Sequence, residues 1–214
     1  MCLQNYVGIM NVSLKERVVA KASMLFMRNG IKSVTMDNIA GQMGISKRTL
    51  YENFRDKDEL LMECFIYQSK EAQKEFEKIA VTCANSMELL LRIFFYTWRK
   101  LRNTNRNFYS DMKKYHPAIS SLFEKDKEER VRNAEQLMEQ GKREGLIRPD
   151  LKIEIVLMLL GAQFEMLKNS EEFDTSRYSF IEIFETIFIN FIRGIATTKG
   201  VAFIEEFISQ NPKE

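Results

Sequence analysis

Between residues 35 and 51 the sequence has the spacing that two short helices need if they are to cross at a steep angle. Ala40 is a small residue at the point where the two backbones must approach each other. Gly44 follows four residues later, where a very short turn requires a backbone with positive φ. The apolar residues that would close the angle are Ile39, Ile45 and Leu50. The pattern predicts a helix-turn-helix that opens at Thr35 and whose second helix is capped by Ser46.

Further helices are predicted on both sides of this motif. Ser13 and Glu16 have the spacing of a capping box, and Gly30 marks the end of the helix that they begin. The acidic run at residues 56–59 repeats the capping pattern and begins a fourth helix, which we expect to extend to about residue 82.

The remainder of the chain continues in helical periods. No segment alternates between apolar and polar residues as a strand would, and there are only 9 glycines and 3 prolines in 214 residues. The fold class that follows is all-α, with about nine or ten helices. The later helices are predicted at about 86–102, 105–115, 118–144, 151–168, 178–197 and 201–209.

Charge is distributed unevenly along the chain. Residues 1–57 contain nine Lys or Arg and four Asp or Glu, whereas residues 58–214 have a net charge of −3. A basic head on a mildly acidic body suits a phosphate-binding module, although chance unevenness is the alternative. On the second helix of the motif, the outward residues are Lys47, Arg48, Thr49, Tyr51 and Glu52.

The helix-turn-helix and the start of the fourth helix resemble the DNA-binding signature of the TetR family. The resemblance rests on Thr35, Ile39-Ala40, Gly44-Ile45-Ser46, Leu50-Tyr51, Phe54, Lys57 and Leu60 at the family's spacing. It covers about a quarter of the chain, and the remainder matches in length, helix number and helix order.

The resemblance implies an N-terminal three-helix DNA-binding head at residues 13–57. It also implies a C-terminal helical body at 58–214 that binds an effector and dimerises. We expect residues 1–12 to be disordered, and translation could begin at Met1 or Met10. The candidate DNA contacts are Thr35, Ser46, Lys47, Arg48, Thr49, Tyr51 and Lys57. Glu52 and Asn53 stand where other members often have aromatic residues or His, so a base preference does not carry over.

The last two long helices are candidates for a dimer interface. Residues 180–195 are apolar around most of the helix, which predicts burial on more than one side. The resemblance implies that this helix and residues 151–168 pair with their symmetry mates in a four-helix bundle; core helices of a monomer are the alternative. The candidate interface residues are Ile155, Leu159, Gln163, Phe184, Phe188, Phe191 and Ile195.

Aromatic residues and methionines between the head and that bundle are candidates for an effector pocket. Soft and aromatic side chains line adaptable apolar pockets, but the same residues also pack ordinary cores. The candidate pocket residues are Phe94, Phe95, Trp98, Phe108, Tyr109, Met112, Tyr115 and Phe164.

The function implied is that of a repressor which is released from a palindromic operator by an unknown apolar or aromatic small molecule. The alternative is a helical ligand-binding or scaffolding protein without operator binding. No cluster of metal-ligating residues, phosphate loop or nucleophile motif points to an enzyme, a metal or a cofactor. Three cysteines at unrelated spacings and the lack of a signal peptide or membrane-length apolar run predict a cytoplasmic protein.

Overall fold

The structure is a computed structural model that describes residues 13–105, 107–168 and 177–211; the predicted disorder at 1–12 lies outside them. These ranges contain no strand, only an isolated bridge between Ile147 and Ala196, so the all-α prediction is confirmed. The helices are α1 (Leu14–Asn29), α2 (Met36–Met43), α3 (Lys47–Asn53), α4 (Lys57–Ala80), α5 (Ser86–Arg102), α6 (Asn107–Tyr115), α7 (Pro117–Arg143), α8 (Ile153–Lys168), α9 (Phe180–Ile195) and α10 (Thr198–Gln210).

The helices begin at the capping residues that the sequence indicated. Ser13 Oγ accepts a hydrogen bond from the Glu16 N–H at 3.2 Å, and the Glu16 carboxylate accepts one from the Ser13 N–H at 2.8 Å. Asp56 caps α4 by accepting from the Glu59 N–H at 2.8 Å. Such caps satisfy N–H groups that have no partner within the helix, and each contributes about 1 kcal/mol.

One hydrophobic core holds the N-terminal head together. Its members come from α1, α2 and α3 and from the first two turns of α4, where Leu60, Leu61 and Cys64 are buried. Met112 of α6 and Ile119 of α7 are buried in the same core. The head core therefore recruits residues from beyond position 57, and the domain boundary predicted there stays a prediction.

A second core forms the body from α5, α7, α8, α9 and α10. The first turn of α10 packs tightly against the loop that follows α7. A Cβ atom on Gly200 would collide with the carbonyl oxygen of Leu146, so only glycine permits this approach. The Thr197 N–H donates to that same oxygen at 3.0 Å and fixes α10 on the body.

Candidate nucleic-acid interface

The turn between α2 and α3 has the geometry that the sequence predicted. Gly44 adopts φ 65° and ψ 29°, a left-handed conformation that costs a residue with a side chain about 1 kcal/mol. The Ile45 N–H donates to Ala40 O at 3.1 Å across the turn. Ala40 itself is buried, so its small side chain allows the close approach of the two helices.

The inner side of α3 is anchored in the head core. Leu50 is 0% exposed and Phe54, which caps the helix, is 1% exposed. Ser46 Oγ accepts from the Thr49 N–H at 3.0 Å and fixes the first turn. Burial on one side alone leaves the opposite side of this short helix in solvent, as a helix that enters a DNA groove requires.

The outward cations of α3 are held by acidic neighbours. Lys47 Nζ lies 2.8 Å from a carboxylate oxygen of Asp37 on α2, and Arg48 Nε lies 2.9 Å from Glu52 Oε1. The hydrogen bond to Asp37 raises the pKa of Lys47 above its ordinary value, so this ammonium stays charged. Exposed ion pairs of this kind contribute little stability, and the cations can exchange these partners for phosphate or base edges.

The hydroxyl candidates have roles within the head. Thr35 Oγ1 caps α2 by accepting from the Asn38 N–H at 3.1 Å, and the hydroxyls of Ser46 and Thr49 lie 2.8 Å apart. Tyr51 is 44% exposed on the outer side of α3. Thr35, Ser46 and Tyr51 are therefore all at the surface that carries Lys47 and Arg48.

Lys57 is the candidate whose placement differs most from the expectation. Its ammonium donates to the carbonyl oxygen of Ile31 and lies 5.7 Å from the centre of the Phe26 ring, so it turns toward the head. Burial is the main reason why the pKa of Lys57 is lowered. The N-terminus of α4, which carries the partial positive charge of the helix dipole, still lies beside Lys57. The Lys57 side chain itself is half-buried against α1 and the loop that follows α1.

The eight candidate pocket residues do not meet at one place. Phe94, Phe95 and Trp98 are buried in the body core, with Tyr109 and Phe164 packed against it. Met112 and Phe108 belong to the head core instead, because α6 packs on α1, and Tyr115 is 46% exposed.

The seven candidate interface residues also separate into two groups. Phe184, Phe188 and Ile195 are buried inside their own subunit, because α9 turns its aromatic side onto α5, and Phe191 is half-buried. Ile155, Leu159 and Gln163 are exposed along one side of α8. Met158 and Met166 extend that exposed side, and sequence analysis missed them although they continue the same helical spacing.

Contacts of α6 and of the residues that flank it with the head were not predicted from sequence. The Asp111 carboxylate accepts from the Lys32 N–H at 3.1 Å, and the Asn105 N–H donates to Met27 O at 2.6 Å. His116 Nδ1 lies 3.1 Å from a carboxylate oxygen of Asp58 at the start of α4. These pairs are separated by up to 79 positions, so no local pattern could have revealed them.

Comparison with known proteins identifies the head. Residues 18–64, from α1 through the helix-turn-helix to the first two turns of α4, match the model of the bacterial regulatory proteins of the tetR family. The head is therefore similar to the DNA-binding domain of the TetR family.

Relatives of known name are HTH-type transcriptional regulators. The HTH-type transcriptional regulator QacR of Staphylococcus aureus is 26% identical over 98 residues, which are 46% of this chain and 50% of QacR. The chain thus spans about half the length of that relative. The repressor KstR2 of Mycolicibacterium smegmatis is 25% identical over 152 residues, 67% of this chain and 72% of KstR2.

Solved structures share the fold over most of the chain. The ketosteroid transcriptional regulator KstR2 of Mycobacterium tuberculosis has a TM-score of 0.56 at 18% identity, covering 89% of this chain and 98% of that one. A transcriptional regulator from Saccharomonospora viridis in complex with choline has a TM-score of 0.69 at 18% identity, covering 86% and 97%. The body, which lies outside the family match, therefore has a TetR-like fold as well.

Two further properties of the described ranges bear on the site. None of their helices is long and apolar enough to cross a membrane. Within the same ranges, no three His, Cys, Asp or Glu side chains are grouped so that they could hold a metal ion.

Proposed function

We propose that the protein is a homodimeric repressor that binds a palindromic operator through α3 and is released by a small-molecule effector. The observation that carries the proposal is the cationic outer side of α3, with Arg48 89% exposed and Lys47 61% exposed, on a helix anchored by buried Leu50. The N-terminal residues of such a helix contact base edges in the major groove, and its cations contact phosphates.

Dimerisation is supported by the exposed side of α8. Ile155, Met158, Leu159 and Met166 are 47%, 65%, 56% and 46% exposed, and their spacing places them on one side of the helix. A contiguous apolar strip of this kind marks an interaction surface. A two-fold axis through it would bring two copies of α3 to one palindromic site.

Effector release is supported by the way in which α6 joins head and body. Met112 is buried in the head core while Tyr109 packs against the body core, so a shift of α6 moves both. Among the described residues, the Trp98 indole N–H is buried without an acceptor, a situation that costs about 1–3 kcal/mol. An acceptor atom on an effector bound beside Phe94 and Phe95 would satisfy it. The transcriptional regulator from S. viridis was solved in complex with choline, which supports a small-molecule effector for this fold.

The proposed activity needs DNA and a ligand but no catalytic group, and it places the protein in the cytoplasm. A scaffold that had lost operator binding is the alternative. The exposed cations of α3 favour the DNA-binding function over that alternative.

The test is binding to duplex DNA selected from a random pool, measured by fluorescence anisotropy between 50 and 200 mM salt. Because cations displace counterions from DNA, the affinity should fall by roughly a thousandfold over this range. Arg48→Ala should weaken binding to the selected duplex by about 5- to 150-fold, the range for loss of one specific base contact. Lys74→Ala is the matched control, because it removes an exposed, ion-paired cation on α4 outside the head core. Equal binding by both variants, or no salt dependence, would contradict the proposal.

A further inference from the structure

Two side chains project furthest from the buried side of α3. At 3.6 residues per turn, Arg48 and Glu52 each lie roughly 160° around the helix from Leu50, on either side of the direction opposite to it. Leu50 is 0% exposed, whereas the side chains of Arg48 and Glu52 are 89% and 56% exposed. A major groove that receives α3 would meet this pair first.

The two side chains form one polar unit. Arg48 Nε donates to Glu52 Oε1 at 2.9 Å across one helical turn. The neighbouring polar groups have other partners: Lys47 pairs with Asp37, and the Asn53 amide donates to Thr49 O at 2.8 Å. Arg48 and Glu52 are therefore oriented together on the forward side of α3.

A carboxylate at this position restricts what the helix can bind. It accepts hydrogen bonds but donates none, and DNA phosphates repel it. In the major groove, cytosine presents the N4 amino donor, whereas adenine presents its N6 donor beside the N7 acceptor, which a carboxylate does not satisfy. Arginine pairs with guanine O6 and N7 through two hydrogen bonds. The unit of Arg48 and Glu52 thus matches G·C pairs.

We propose that Glu52 is a specificity-determining residue that selects cytosine, and that Arg48 selects guanine, in each operator half-site. The proposal rests on the DNA-binding function proposed above and names the bases that this function reads. Each half-site then carries G·C pairs beneath the centre of α3. The cost of an A·T pair there is about 5- to 150-fold in affinity, the range for loss of one specific base contact.

The experiment selects bound duplexes from a random pool with the natural chain and with Glu52→Gln, then measures affinities for the selected sequence and its single-base variants. Glutamine pairs with adenine N6 and N7, so Glu52→Gln should shift the preference at one position of each half-site from cytosine to adenine. Asp37→Asn is the control, because it removes a carboxylate that is similarly exposed (63% against 56%) and also paired with a cation of α3. Asp37→Asn should leave the selected sequence unchanged.

The outcomes separate this proposal from the function on which it rests. If Glu52→Gln strengthens binding to all duplexes by the same factor, as a mere loss of negative charge would, Glu52 does not select a base, although operator binding stands. If the natural chain selects half-sites without G·C pairs at their centre, the assignment of both residues fails. If the natural chain binds no duplex selectively, the DNA-binding function fails as well.

Discussion

The helices α8 and α9 are both strongly apolar, yet their apolar side chains are buried to different extents within the subunit. On α9, Phe184, Phe188, Ile192 and Ile195 are all less than 10% exposed in the single subunit. On α8, Leu159 and its neighbours on the same side are about half exposed. The two helices pack against each other, so the difference does not come from separate locations in the fold.

An apolar helix can pack against helices of its own subunit, as α9 does, or offer an apolar side to a second subunit, as we propose for α8. The side chains of α9 are covered by α5, where Phe94 stacks on Phe188 with ring centroids 4.1 Å apart. The outer strip of α8, formed by Ile155, Met158, Leu159 and Met166, is left about half exposed by the described residues of its own chain. Composition does not distinguish these cases; the order of the helices around the core does.

The largest effect is expected from Phe188→Glu on α9. It places a charge without a partner in the body core, at a cost of about 4 kcal/mol or more against a total stability of about 5–15 kcal/mol. Circular dichroism during heating should show loss of helix at a much lower temperature. Asn190→Glu adds the same charge at an exposed position of α9 and should melt close to the natural chain. Similar melting of the two variants would mean that Phe188 does not lie in the body core.

A smaller and different effect is expected from Leu159→Glu on α8. The charge lies on an outer surface, so the subunit should stay folded while the dimer dissociates through repulsion between symmetry-related carboxylates. Loss of the second head should weaken operator binding by about a hundredfold. Analytical ultracentrifugation should give a folded monomer.

Val81→Glu is the matched control for this change, because Val81 is an apolar residue 85% exposed at the end of α4. It should leave the dimer and the affinity intact. A dimer that persists in Leu159→Glu, or a subunit that unfolds, would remove the proposed contrast between the two helices.

The smallest effect concerns the first turn of α9. Its Ser179–Glu182 capping box has no described counterpart on α8, and the hydrogen bonds from Ser179 lower the pKa of Glu182. A folded-state pKa below the unfolded value means that this stabilisation is present above about pH 4.5 and is lost as the pH falls through the folded pKa. Chemical denaturation between pH 6 and pH 3 should therefore show a shallower acid dependence for Glu182→Gln than for the natural chain. Glu154→Gln, on the first turn of α8, should retain the natural acid dependence.

Local sequence signals predicted most of the fold. Capping residues such as Ser13 and Asp56 and the turn glycine Gly44 act within a few positions, so their roles could be assigned from spacing alone. The helix limits agree to within about three residues, for example Ala80 against a predicted end near residue 82.

The candidate site was less predictable, because tertiary neighbours decide it. Helical periodicity shows which residues share a side but not what covers that side. For this reason Phe188 was expected at an interface and lies in the core, and Met112 was expected in a pocket and lies in the head. Lys57 was expected at phosphate, but its ammonium donates a hydrogen bond to the carbonyl oxygen of Ile31, which lies 26 positions earlier in the chain.

In the proposed function, the exposed strip of α8 joins two subunits so that two α3 helices reach one operator together. Hydroxyl-radical footprinting on the selected duplex measures this directly. For the natural chain we expect two protected segments whose centres lie about one DNA turn, roughly 34 Å, apart, and for Leu159→Glu weak or single protection at the same concentration. A single protected segment for the natural chain, or the same double footprint for both proteins, would contradict it.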